Sequence, residues 1–222
     1  MSKSPHLLLA CLVALLGALS TGAAEKFVAG THYQTLDIPV KTLDPDRIEV
    51  VEVFSHACIH CYNFDPYVES WHTEQDGDVV FDRLPAIFSD DWEAIAQAYY
   101  AAQTLGVLEQ MHKPLFTALH DERKDIRKAE VLQLLFEEQA DVSAEDFGVA
   151  YNSFSVRSRV AQAKAKTRAY KVTGVPTMVV EGKYLIDGRS AGGNVAMLQV
   201  VDFLVDKERD ARRSAAESAA EE

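Results

Sequence analysis

Two cysteines separated by two residues, Cys58 and Cys61, directly follow the most strand-like segment of the chain. Residues 48–55 (IEVVEVFS) are β-branched, aromatic or apolar at nearly every position, which is typical of a central strand covered on both faces. Residues 61–71 are compatible with a helix, and residues 79–87 (VVFDRLPAI) predict another strand. The cysteine pair is therefore predicted at a helix N-terminus inside a strand–helix–strand unit.

The N-terminal residues have the pattern of a secretory signal peptide. Lys3 precedes an apolar run from Leu7 to Leu19, and small residues follow. The run is too short for a membrane-spanning helix, so we predict cleavage after Ala24 and export of the mature protein. A retained membrane anchor, a buried helix and a lipoprotein modified at Cys11 are the alternatives.

The number of cysteines indicates whether the pair has a structural or a chemical role. Of the 3 cysteines, Cys11 would leave with residues 1–24, so Cys58 and Cys61 alone would remain. A disulfide across two residues closes a very short loop, and stabilisation by a disulfide grows with loop length. The pair is therefore predicted to serve chemistry. The formal net charge of -12 makes nucleic acid and anionic membranes poor partners.

The rest of the chain predicts one domain interrupted by helices. Short strands are expected at 32–40 and in a hairpin spanning 177–187, and a last helix at 194–205. The intervening eighty or so residues have helical spacing, with Gly106 ending one helix and Ser143 opening another. The expected organisation is then a domain built from 25–88 and 171–206, a helical subdomain inserted at 89–170 and a disordered tail at 207–222.

The position of the pair predicts different roles for its members. Cys58 would receive unpaired backbone N–H groups and the positive end of the helix dipole, and His60 adds a donor or a positive charge. Each stabilises a thiolate, which attacks disulfides and is also a good leaving group, so such a pair is an oxidant. Cys61, one turn deeper, is predicted to be the buried resolving thiol.

Several residues keep an alternative interpretation. His56, Cys58, His60 and Cys61 are possible zinc or copper ligands, although no second Cys or His cluster completes a closed site. A purely structural disulfide is another alternative. Glu52 is interpreted either as a salt-bridge or sheet-edge charge, or as a buried carboxylate that relays a proton to and from Cys61.

Five short segments give the chain a resemblance to the DsbA family of bacterial periplasmic oxidases, extending from about residue 33 to residue 205. They are Glu52–Ser55 (EVFS), the Cys58-x-His60-Cys61-Tyr62 motif, 151–154 (YNSF), 174–177 (GVPT) and 182–184 (GKY).

The resemblance implies an α/β thioredoxin fold, a central mixed β-sheet flanked by helices, with an inserted all-helical subdomain. It implies that Cys58 is the nucleophile, that Pro176 is cis and that Val175 hydrogen-bonds the substrate backbone; Glu52 falls on the family's buried acid. The redox-active disulfide then needs no cofactor and no metal. Electrons would pass from reduced, unfolded exported proteins to a periplasmic monomer and on to a membrane quinone reductase like DsbB.

Two features depart from the family pattern. Ile59 replaces the usual Pro between the cysteines, and His56-Ala57 replaces the commoner residues just before them. Because the residues between the cysteines set thiolate stability, these departures bear on the redox potential. A reductase or isomerase is the second hypothesis, although isomerases resembling this chain carry an extra N-terminal dimerisation domain and tend to have Thr or Ile where Val175 stands. A metal-binding chaperone is the third.

Overall fold

A five-stranded mixed sheet organises residues 25–220, the part of the chain that this computed structural model describes. Its strands lie in the order β1-β5-β4-β2-β3; β2 and β3 are parallel and every other neighbouring pair is antiparallel. The strands are β1 (Gln34–Thr35), β2 (Ile48–Phe54), β3 (Val79–Pro85), β4 (Thr177–Val180) and β5 (Tyr184–Asp187). The central strand β2 is buried along its whole length, as its sequence predicted.

Helices cover both faces of the sheet and form an insertion between β3 and β4. The helices α1 and α8 pack on one face, and residues of α2 and α6 pack on the other. A third cluster of apolar side chains fills the interior of the insertion, which comprises α2–α6. The helices are α1 (Ile59–Thr73), α2 (Asp90–Leu105), α3 (Leu108–His120), α4 (Ala129–Ala140), α5 (Ala144–Tyr151), α6 (Phe154–Ala169), α7 (Gly188–Ala191) and α8 (Ala196–Ala220).

Local capping signals begin and end several helices where the sequence predicted. Gly106 ends α2 with a positive φ of 73°. The side chain of Ser143 accepts a hydrogen bond from the backbone N–H of Asp146 at the start of α5, which satisfies a donor that the helix itself leaves unpaired. The predicted strand at 32–40, by contrast, is reduced to the two residues of β1.

The C-terminal segment corrects the prediction of a disordered tail. The last helix, α8, extends through the predicted tail to the last described residue. Arg209 donates two hydrogen bonds of 2.7 Å to the carboxylate of Asp78, and Arg212 contacts Glu181 at 3.0 Å. These ion pairs join the helix to the far end of the sheet. Their partners lie 131 and 31 residues apart, so local composition does not show the contacts.

The predicted signal peptide, with its cleavage site after Ala24, lies outside the described residues. Within residues 25–220, no helix combines the length and apolar character needed to cross a membrane.

The turn between β4 and β5 requires glycine at position 182. Gly182 has a φ of 58°, and a Cβ built on it would lie 1.9 Å from the carbonyl oxygen of Val40. We expect Gly182→Ala to lower the free energy of unfolding by about 3–5 kcal/mol, measured by urea denaturation, because positive φ and a backbone clash add. Gly106→Ala is the matched control, since its φ is similar but nothing lies within 4 Å of the new Cβ. It should cost about 1–2 kcal/mol. Equal losses would show that the Val40 contact yields easily.

Candidate active site

The cysteine pair lies where β2 passes into α1. Cys58 is the N-cap residue of α1, with extended backbone dihedrals, and its N–H donates to the carbonyl of Ser55 at 3.0 Å. Cys61 lies in the first turn and is completely buried, whereas Cys58 is half-buried. The sulfur of Cys58 therefore lies near the surface, and that of Cys61 lies beneath it.

The helix start lowers the pKa of Cys58 to about 6. The largest cause is a hydrogen bond from the Cys61 thiol; backbone N–H groups of Cys61 and His60 and the charge of His60 add to it, and partial burial opposes them. The backbone groups and His60 were expected from the sequence. The larger contribution from Cys61 was not.

Cys61 has the opposite environment. Burial is the largest cause that raises its pKa, and Cys58 and the carboxyl group of Glu52 raise it further. At neutral pH the pair therefore holds a thiolate at Cys58 and a neutral thiol at Cys61.

The loop before β4 packs against the reactive sulfur. The peptide bond between Val175 and Pro176 is cis, and the Val175 carbonyl oxygen lies 3.5 Å from Cys58 Sγ. A groove of about 820 Å³ begins beside the pair, between His60 and this loop, and extends towards α7. An extended peptide whose sulfur reaches Cys58 would therefore pass along the main chain of Val175.

Glu52, in the middle of β2, is 1% exposed. Its Oε2 accepts a hydrogen bond of 3.0 Å from Nε of Arg83, on the neighbouring strand β3. Burial raises the pKa of Glu52 to about 7, and the opposing attraction of Arg83 does not cancel that effect. Both interpretations made from the sequence, the salt bridge and the buried carboxyl group with a raised pKa, thus describe the same residue.

Arg83 links Glu52 to two further carboxylates. Its guanidinium contacts Asp65 at 3.1 Å and Glu69 at 2.5 Å, both on α1. Arg83 was not identified from the sequence. The available signal was a cation inside a predicted strand, together with acidic residues four apart on one helix face.

Histidines connect this charged cluster to the loop before Cys58. His112 of α3 has Nε2 2.8 Å from Asp65 and Nδ1 3.2 Å from Nε2 of His56. Burial lowers the pKa of His56 far below its ordinary value, so that its ring is neutral. His120 donates from Nε2 to the His56 carbonyl oxygen at 2.9 Å. Neither α3 histidine was singled out from the sequence, because their partners lie on distant segments.

Within residues 25–220, the possible metal ligands named from the sequence do not form a group of three or more with ligand-like spacing. The His56 ring faces His112 at hydrogen-bond distance. Over residues 25–220, the group with ligand-like spacing is Asp65, Glu69 and His112 instead. Arg83 already supplies the positive charge between those two carboxylates.

Comparison with known proteins identifies the family. Residues 73–204 match a family profile described as DSBA-like thioredoxin domain. The thiol:disulfide interchange protein DsbA of Pseudomonas aeruginosa is 38% identical over 209 residues, which cover 94% of this chain and 99% of the relative. The chain belongs to the DsbA family. The relative of the same name from Burkholderia cepacia is 33% identical over 208 residues, covering 91% of this chain and 97% of the relative.

Solved DsbA structures confirm the thioredoxin-like fold. The crystal structure of Pseudomonas aeruginosa DsbA superposes with a TM-score of 0.81 at 39% identity, covering 86% of this chain and 98% of that one. Xylella fastidiosa DsbA gives a TM-score of 0.77 at 30% identity, with 82% and 98% covered. The protein is therefore a thiol:disulfide oxidoreductase, and its chemistry resides in a cysteine pair rather than in a separate cofactor.

The pKa difference within the pair predicts a titration. Ultraviolet thiolate absorbance of the reduced protein should rise in a step near pH 6 and be absent at that pH in Cys58→Ser. Cys61→Ala should raise the pKa of Cys58 more than His60→Ala does, because the Cys61 thiol is the larger cause. Alkylation at pH 7 should modify Cys58 first; modification of Cys61 first would contradict the assignment.

Proposed function

We propose that this protein is a dithiol oxidase, which donates a Cys58–Cys61 disulfide to reduced, unfolded exported proteins in the periplasm. The observation that carries the proposal is the thiolate stabilised at the half-buried Cys58. A stabilised thiolate favours the reduced form of the pair, so the disulfide tends to be passed on. DsbA proteins are themselves the standard example of such a pair.

The reaction takes place in two exchanges. A substrate thiolate attacks Sγ of Cys58, forming a mixed disulfide and breaking the bond to Cys61, which leaves as a thiolate and takes up a proton. A second substrate thiolate then attacks the substrate sulfur of the mixed disulfide, and Cys58 leaves as a thiolate. The substrate loses two electrons, which the cysteine pair gains. The low pKa of Cys58 makes it the good leaving group of the second exchange.

Glu52 is the proposed proton donor and acceptor for Cys61. Its carboxyl group has a pKa of about 7, so both protonation states are populated at neutral pH. Glu52 also interacts electrostatically with Cys61, since its charge is one of the causes that raise the pKa of that thiol. Glu52 and Cys61 are both buried, so bulk solvent does not directly supply the proton that Cys61 takes up.

Val175 and Pro176 are the proposed contacts for substrate. The Val175 carbonyl oxygen lies 3.5 Å from Cys58 Sγ, the sulfur that is attacked in the first exchange and leaves in the second, so a substrate cysteine bonded to Cys58 brings its own main chain beside this loop. Ile59 and His60, both exposed, complete the surface around the sulfur. We propose that the same surface meets a DsbB-like membrane quinone reductase, which restores the disulfide, and that the protein acts as a monomer.

A redox titration against glutathione tests the direction of the reaction. We expect an equilibrium far more oxidising than that of thioredoxin, and His60→Ala should shift it towards the reducing side because it removes part of the thiolate stabilisation. An equilibrium near that of thioredoxin would overturn the oxidase proposal and favour the reductase or isomerase. Stoichiometric metal kept through purification would favour the chaperone.

A further inference from the structure

The groove beside Cys58 ends at an arginine that has no acidic partner within residues 25–220. Arg189, in α7, lines the groove and is exposed. Within the described part of the chain its guanidinium forms no ion pair, and its hydrogen bonds are those of the main chain: its N–H donates to Asp187 and its carbonyl oxygen accepts from the N–H of Gly192. The other lysine or arginine of the lining, Lys171, is paired with Asp37 at 2.5 Å.

The single carboxylate of the lining does not neutralise Arg189. Asp187 Oδ1 accepts hydrogen bonds of 2.9 Å from the backbone N–H groups of Arg189 and Ser190, which fixes it on the main chain of α7. Among the described residues the groove therefore offers a positive charge without an ion-pair partner, on a chain whose formal net charge is -12. All three arginines of α8, by comparison, have carboxylate partners.

We propose that Arg189 makes the groove selective for substrate segments that carry a carboxylate side chain, Asp or Glu, close to the reactive cysteine. This inference rests on the proposed function. The groove runs from His60 and Val175, beside the sulfur, to Arg189, so a peptide held at Cys58 reaches the guanidinium with a neighbouring side chain. A guanidinium binds a carboxylate through two parallel hydrogen bonds, and its donors are unoccupied here.

The expected preference is modest, because the guanidinium is exposed. An exposed ion pair contributes enough for a selectivity of about two- to fivefold, and salt reduces it. The acidic charge of the whole chain repels an acidic peptide and works against this preference. The effect of Arg189 must therefore be measured as a change of selectivity between variants of the protein.

The test uses two-cysteine peptides that differ at one position. Glu, Gln or Lys is placed in turn at each of the positions flanking the first cysteine, and the second-order rate of peptide oxidation by the oxidised protein is measured. We expect wild type to oxidise the Glu peptide about two to five times faster than the Gln peptide at one or more positions. In Arg189→Gln the Glu and Gln peptides should be oxidised at equal rates. In Arg189→Glu the Lys peptide should be oxidised faster than the Glu peptide.

The design separates the failure of this inference from that of the proposed function. Taking the ratio of two rates from one variant cancels a general change of activity. Arg213→Gln is the matched control; it removes the same charge at the opposite end of the sheet, beside Asp46 and Ile48, and should keep the wild-type ratio. Failure of wild type to oxidise even the Gln peptide would overturn both proposals. Oxidation of all peptides with a ratio independent of Arg189 would overturn the selectivity alone.

Discussion

Reduced protein is expected to gain stability relative to oxidised protein as the pH rises from about 6 to about 8.5. The folded-state pKa of Cys58 is about 6, below the value of about 8.5 for an unfolded thiol. A group with a depressed pKa stabilises the fold fully above its unfolded pKa, and this stability is lost as the pH falls through its folded pKa. The oxidised protein has no thiol at Cys58 and lacks the effect.

The difference between the two forms isolates this effect. After allowance for solvent screening at a half-buried sulfur, the free energy of unfolding of the reduced form should rise by about 1–2 kcal/mol relative to the oxidised form between about pH 6 and about pH 8.5. Other titrating groups, Glu52 among them, are present in both forms and largely cancel in the difference. Above about pH 8.5 the trend should reverse, because the raised pKa of Cys61 makes its unfolded thiol ionise first.

Urea denaturation of both forms at several pH values measures the difference. Reduced Cys58→Ala is the control, since wild type minus this variant should show the same rise with pH. A gap that stays constant between pH 6 and 8 would mean that the fold does not stabilise the Cys58 thiolate. The oxidase proposal would then lose its physical basis.

The sequence predicted the residues of the site whose environment is set by local structure. Cys58 at the N-cap of α1 follows from a strand that passes directly into a helix, and the burial of Glu52 follows from an apolar strand of central type. Both positions are determined within about ten residues of the cysteines. Their pKa directions could therefore be argued before any tertiary contact was known.

The residues that were missed owe their positions to the packing of distant segments. Arg83 comes from β3 and His112 from the helical insertion, and each reaches the site across a distance in sequence that periodicity does not encode. The continuation of the last helix beyond residue 206 was missed for the same reason, since Arg209 contacts Asp78 131 residues away. A charged segment with no large apolar residue is predicted to be disordered unless its partners are known.

Glu52→Gln is expected to stabilise the protein above neutral pH. Because the folded pKa of Glu52 is raised from 4.5 to about 7, its contribution to stability is present below pH 4.5 and is lost as the pH rises through 7. A neutral amide of the same size avoids the cost of ionisation. Arg83 keeps Asp65 and Glu69 as partners, so its charge stays compensated.

The free energy of unfolding of Glu52→Gln should exceed that of wild type by about 1–3 kcal/mol at pH 8 and by close to zero at pH 4.5, measured by denaturation of the oxidised protein. The same substitution removes the proposed proton donor for Cys61, so peptide oxidation should slow by at least about tenfold. Stability and activity would then change in opposite directions, which a general disturbance of the fold does not produce.

Glu49→Gln provides the matched control, since Glu49 is a buried carboxylate at the start of the same strand, paired with Lys166 at 3.3 Å. It should leave the pH profile of peptide oxidation unchanged, because it lies at the end of β2 away from the cysteines. A Glu52→Gln variant that keeps both the wild-type pH dependence of stability and the wild-type oxidation rate would show that Glu52 is only an ion-pair partner of Arg83. The proton would then have to reach Cys61 from solvent, through an opening of the site, rather than from the Glu52 carboxyl group of β2.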